Sequence, residues 1–133
     1  MKTEPKDTTA KLHPSRFGAR AEGKAAEDRA ARYLERHGLT LLARNFCIRG
    51  GEIDLICKDG SATVFVEVRL RKNPNFGGAG ASITRTKQRR LILAARHWLA
   101  IHGDGDCRFD CILLDDVAAA APMEWIRNAF WAD

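Results

Sequence analysis

The sequence predicts an α/β domain, a mixed β-sheet with helices packed against it, in the order α-β-β-β-α-β. Three observations carry that expectation. Two stretches, about Arg20 to His37 and Thr84 to Ile101, place apolar residues at helical spacing. Between them, Glu52 to Lys58 and Thr63 to Arg71 are rich in β-branched residues and flank Asp59-Gly60, a hairpin dipeptide. The chain has 133 residues, 45% hydrophobic and 29% charged. That suits one domain able to bury roughly two-thirds of its unfolded surface.

Residues 1–15 mix charge, Thr and two prolines without periodicity and read as a disordered arm, which leaves 16–133 as the domain. In the first helix Ala26, Ala30, Tyr33, Leu34 and His37 share a face, and Gly38 is placed to cap its end. Leu39 to Ile48 reads as a strand, and Gly50-Gly51 as a turn. After the hairpin, Asn73 to Gly80 is Gly- and Pro-rich and reads as a mobile loop. Ser82 or Thr84 would cap the second helix, with Leu91, Ala95, Trp98 and Leu99 as its buried stripe. Arg108 to Leu114 is another strand. The Ala-rich stretch after Val117 has no assignable pattern, and Trp125, Ile126, Phe130 and Trp131 are expected to dock a short terminal element onto the core.

No repeat, bilayer-spanning run or secretory signal is visible, so a cytoplasmic setting is expected. Cys47, Cys57, Cys107 and Cys111 lack zinc-ribbon spacing and read as small buried residues.

Net charge is +5. It is segregated: residues 69–96 hold eight Lys or Arg and no acid, whereas residues 97–133 hold two Arg against seven acids. A directed positive surface suggests an acidic partner, and nucleic acid is the commonest. Arg85, Arg89 and Arg96 share one side of the second helix, with Lys87 and Arg90 beside them. Phosphate contacts are expected from Arg71, Lys72, Arg85, Lys87 and Arg89.

The hairpin carries the chemistry. Side chains alternate along a strand, so Glu52, Asp54 and Ile56 point one way and Ile53, Leu55 and Cys57 the other. On the partner strand Phe65, Glu67, Arg69 and Arg71 share a face, opposite Val64, Val66, Val68 and Leu70. A turn at Gly60-Ser61 sets Asp54 across from Glu67; one at Asp59-Gly60 sets Glu52 there. Either keeps the three acids within about 4.5–8 Å of one another. A slip of one residue would place Asp54 among the valines. Adjacent carboxylates raise each other's pKa, and a hard divalent cation relieves the repulsion. Glu27 lies at the edge of the first helix's buried stripe, within reach of joining them. Asp110 pairs with Arg108 on its strand and is expected to support the core; Asp115-Asp116 reads as a solvated turn.

Gly23-x-x-x-Glu27-x-x-Ala30-x-x-Tyr33-Leu34, Arg44-Asn45, Gly51-Glu52-Ile53-Asp54-Leu55-Ile56, Val64-Phe65-Val66-Glu67-Val68-Arg69 and Arg108-Phe109-Asp110 together resemble the bacterial YraN family. That family is similar to a branch of the PD-(D/E)-x-K nuclease superfamily, related to archaeal Holliday-junction resolvases. The resemblance spans about residues 17–131. It implies a restriction endonuclease-like fold and hydrolysis of DNA phosphodiesters with Mg²⁺ or Mn²⁺, branched DNA being the substrate suggested by analogy. Asp54 matches the metal-binding Asp, Glu67 the second acid and Glu27 the acid of the N-terminal helix. The Val68 carbonyl would add a metal ligand, and Glu52 or Glu27 would act through water. A homodimer follows by the same analogy.

Arg69 stands where the superfamily pattern has Lys. A guanidinium stays protonated, so it can bind phosphate but cannot act as a base. Lys72 or Lys87 would then supply the amine. The alternative is a nucleic-acid-binding module that kept the fold and lost turnover.

Overall fold

The computed structural model describes residues 14–70, 83–116, 118 and 121–132, with side chains from Gly23 onward. Its elements are α1 (Pro14–Arg36), β1 (Thr40–Ile48), β2 (Gly51–Asp59), β3 (Ala62–Leu70), α2 (Arg85–His102), β4 (Cys107–Leu114) and β5 (Met123–Phe130). The strands form one sheet in sequence order. β1, β2 and β3 pair antiparallel, β3 and β4 pair parallel, and β5 returns antiparallel on β4. A parallel pair needs a long crossover, and α2 lies in it.

The expected mixed α/β fold is therefore present, with a fifth strand that the sequence did not reveal. Its pattern is broken by irregular pairing: Phe109 faces Phe130 while Cys111 faces Ile126, and Asn128 in the extra stretch has φ 51°. Asn tolerates that left-handed backbone better than most residues.

Each face of the sheet buries one helix. α1 supplies Ala26, Ala30, Ala31 and Leu34, which pack on Leu55, Cys57, Val64, Val66, Ile112 and Leu114. α2 supplies Leu91, Ala94, Ala95 and Trp98, which pack on Ile53, Ile56, Phe65, Phe109 and Phe130. Phe65, Phe109 and Phe130 run in a row, with centroids 5.5 Å and 4.7 Å apart. Burying each such side chain contributes roughly 1.5–3 kcal/mol. The helical stripes follow the sequence reading, except that His37 is exposed beyond α1 and Leu99 is only half-buried. Thr84 is the α2 cap, its hydroxyl accepting from the Lys87 N–H at 3.1 Å.

Three expectations are corrected. Ile53 joins Ile56 on the α2 side instead of following Leu55 and Cys57. Strict alternation fails because β2 leaves β3 at Leu55 and because the opposing strand bends at Asn45, φ 52°. Trp131 does not dock; it is 70% exposed, while its neighbour Phe130 is buried. Among the cysteines, Cys57 and Cys111 are buried but Cys47 and Cys107 are exposed, and all four are free.

Buried Asp110 organises the β4–β5 end. It accepts from Arg108 Nε at 3.1 Å, Trp125 Nε1 at 2.9 Å and the Asn128 N–H at 3.0 Å. Arg108 also reaches Asp59 at 2.9 Å, tying β4 to the hairpin. Asp110 thus supports the core, as its pairing with Arg108 suggested.

Gly51 sets how closely α2 lies on β2. A Cβ there would stand 2.6 Å from the Arg90 carbonyl oxygen and 3.1 Å from the Ala94 nitrogen, both helix backbone. Gly23 meets nothing within 4 Å. Gly51→Ala should therefore lower unfolding stability by about 1–3 kcal/mol in urea titrations. Gly23→Ala, in an exposed helix position, should raise it by up to about 1 kcal/mol. Equal stability for the two variants would contradict this account of the packing.

Candidate functional site

The hairpin loop is Gly60-Ser61, with Asp59 opposite Ala62, so of the two registers the one that faces Asp54 with Glu67 is present. Ladder pairing of β2 with β3 stops at Leu55 and Val66. Just beyond, the Asp54 carboxylate takes over the role of a backbone acceptor. The Val68 N–H donates to Asp54 Oδ2 at 2.8 Å. The Asp54 and Glu67 side chains are themselves hydrogen-bonded. Apolar strands on both sides keep this pair from water, and the Glu67 side chain is only 4% exposed.

The electrostatics follow from that position. Burial first, and then the Asp54 charge, raise the Glu67 pKa from its ordinary 4.5 to about 7, against the opposing pull of Lys87. Burial also raises Asp54, opposed chiefly by the Val68 N–H. Carboxyls placed this close titrate as a unit rather than independently.

One helix contributes from each face. From α2, Lys87 Nζ lies 3.3 Å from Glu67 Oε2. From α1, Glu27 is raised by burial and then by the Asp54 charge, while a hydrogen bond from the Asn45 side chain and the Arg44 charge lower it. Arg44 in turn is paired with Asp28. The left-handed Asn45 thus places its amide against Glu27, at the point where β1 bends.

The expected residues separate into groups. Asp54 and Glu67 are in contact, Val68 touches Asp54 through its backbone, and Glu27 comes near from α1. Glu52 is drawn aside. It is 3.5 Å from Arg90, its side chain is 43% exposed, and it is the weakest of the influences on Asp54. Arg69 lies two residues beyond Glu67 on β3, opposite Leu113, and has partners of its own. Arg85 and Arg89 are exposed on α2, whereas Lys87 is turned inward. Arg71 and Lys72 lie outside the described residues. Asn45 was not anticipated as a site residue, although an Asn at a strand centre, where it is disfavoured, was a usable signal. Lys87 precedes the buried Leu91 and Ala94 by four and seven, a spacing that places it on the sheet-facing stripe.

Among the described residues no three His, Cys, Asp or Glu side chains gather tightly enough to encage a metal. Two carboxylates with open positions suit Mg²⁺ or Mn²⁺, which keep water and take phosphate oxygens, better than a closed N/S site of the zinc kind.

The raised Glu67 pKa has a consequence for stability. A carboxyl that holds its proton more tightly when folded stabilises the fold fully below the unfolded value of 4.5, and this is lost as pH rises through about 7. The loss for Glu67 is roughly 3 kcal/mol. Thermal unfolding of wild type and Glu67→Gln should therefore diverge between pH 5 and pH 8, the variant becoming the more stable at the higher pH. Parallel curves would show that the pair is not strained by its charge.

The chain matches the profile of "Uncharacterised protein family UPF0102" over residues 26–114, a span containing Glu27, Asp54, Glu67 and Lys87. A UPF0102 protein of Dechloromonas aromatica is 61% identical over 113 residues, covering 85% of this chain and 91% of that protein. One from Nitrosomonas europaea is 53% identical over 82% of this chain and 92% of its own length. One from Serratia proteamaculans is 50% identical over 86% and 97% respectively. No helix among the described residues is long and apolar enough to cross a membrane. With a profile matched over most of its length and relatives aligned nearly end to end, the chain belongs to the UPF0102 family.

Proposed function

We propose that the protein is a divalent-metal-dependent endonuclease that hydrolyses phosphodiester bonds of DNA, a UPF0102 branch of the PD-(D/E)-x-K superfamily. The observation that carries this is the buried Asp54–Glu67 pair with the Lys87 ammonium 3.3 Å away. Proteins seldom bury two mutually repelling carboxylates without a compensating cation, and perturbed acids of this kind mark functional sites. Mg²⁺ or Mn²⁺ would be held by Asp54 and Glu67. The Val68 carbonyl faces the same gap as its N–H, because both backbone groups of an extended residue point to one strand edge. When bound, the ion would lower the pKa of a water and neutralise charge on the phosphate.

The chain's own residues divide the remaining work. Lys87 supplies the amine that the Val68-Arg69 stretch lacks. An ammonium on a flexible stem can orient the attacking water and exchange a proton with it, which Arg69 cannot do as a base. Arg69 places a fixed positive fork beside the acids, suited to a scissile phosphate. Glu27, fixed by Asn45, can hold a water on the α1 side. Glu52 is engaged with Arg90 and contributes mainly to the local field. Arg85 and Arg89 extend the positive surface along the helix that carries Lys87. Branched DNA remains the substrate favoured by analogy with junction-resolving relatives of the fold.

Cleavage of junction, flap, single-stranded DNA and RNA substrates should be measured with Mg²⁺ and with Mn²⁺. Asp54→Ala and Glu67→Ala should each reduce the cleavage rate by about 10²-fold or more. Lys87→Met should reduce kcat comparably without weakening binding, and Lys87→Arg should not rescue it, since an arginine cannot act as a base. Arg69→Ala should act mainly on KM. Salt-sensitive binding with no cleavage of any substrate by either metal would refute the enzyme and favour the binding module that Arg69 suggests.

A further inference from the structure

The chain has three tryptophans. Trp98 stacks on His102 with centroids 3.6 Å apart, and Trp125 donates to Asp110 beneath the Arg127 guanidinium. Trp131 is 70% exposed. It does not stand alone. With Arg85, Gln88, Arg89 and Ile92 it lines a cleft of about 230 Å³ on the flank of α2. A second cleft of about 420 Å³ shares Arg89 and Ile92 and continues to Arg96. Among the described residues no acid lines either cleft. Arg85 lies two residues before Lys87, so the groove runs along the outer side of the helix whose sheet-facing side delivers Lys87 to Glu67.

We propose that this groove seats an unpaired stretch of nucleic acid, a nucleobase stacking on the Trp131 indole and the flanking phosphates lying on Arg85, Arg89 and Arg96. The inference rests on the nucleic-acid reading above and adds a substrate feature to it. An indole face beside guanidinium groups suits a base and its phosphates, and Ile92 provides an apolar floor. A base within a duplex is covered on both faces by its neighbours, so only an unpaired base can offer its π-face to a side chain. The protein would then engage DNA that is partly open, as at a branch or flap.

The test uses the whole chain in EDTA, so that nothing is cut, with fluorescently labelled oligo-dT, oligo-U and a blunt mixed-sequence duplex. Wild type should bind oligo-dT with quenching of tryptophan emission. Trp131→Ala should weaken that binding by roughly 10- to 100-fold, the range expected for one base–aromatic stack, and leave duplex binding nearly unchanged. Trp131→Phe should retain most of the affinity, and Arg89→Ala should flatten its salt dependence. Equal losses on oligo-dT and oligo-U support the proposal, because every base has a π-face. Unchanged oligo-dT affinity in Trp131→Ala overturns it, as does a loss confined to oligo-U or a light-scattering result in which Trp131→Ala dissociates a dimer. Wild-type binding to duplex alone overturns the groove but leaves the endonuclease reading intact. Binding to none of the three removes both.

Discussion

Where β2 and β3 stop pairing, Asp54 turns into the gap and accepts the Val68 N–H, which brings its carboxylate against Glu67. That contact constrains the surrounding site. Two carboxylates out of water repel, so Glu67 keeps a proton up to about pH 7 and Lys87 is drawn in from α2. The sheet supplies the burial, α2 supplies the counter-charge through Lys87, and α1 adds a further acid, Glu27. The strand break is therefore less a defect of the ladder than the opening through which a backbone donor and two acids meet.

The position of Lys87 alters the reading of Arg69. By sequence, Arg69 in the place where the resemblance to the PD-(D/E)-x-K pattern expects a lysine points toward lost turnover. In space, an amine stands beside the second acid, delivered by a helix rather than by the strand. The close approach of α2 at Gly51 and the Thr84 cap fix the helix that carries it. A function distributed in this way depends on helix packing, so changes remote from the acids can still move the amine.

Much of the fold was legible because its signals are local. The Thr84 cap, the Ala-rich stripe of α1 and the alternating valines of β3 each follow from nearest neighbours in sequence. The acid pair was legible too, since both turn choices at residues 59–61 brought Glu67 against an acid. The engagement of Glu52 by Arg90, 38 residues away, was not legible, because strand parity takes no account of a helix packed above it. Ile53 was assigned to the wrong face because alternation assumes continuous pairing, and pairing ends beside it. β5 was hidden by its irregular register on β4, which is held by Asp110 and the left-handed Asn128. The same irregularity leaves Phe130 buried and Trp131 outside, a division that the sequence Phe-Trp could not indicate.

The proposed function requires that Asp54 and Glu67 form a divalent-cation site from which Lys87 can be released. Crystals grown with Mn²⁺ above pH 7 and measured at the manganese absorption edge test it directly. The account predicts an anomalous peak bridging the two carboxylates, with Lys87 moved off Glu67, and loss of the peak in Asp54→Ala. An undisturbed Lys87–Glu67 ion pair with no peak at millimolar Mn²⁺ would contradict it.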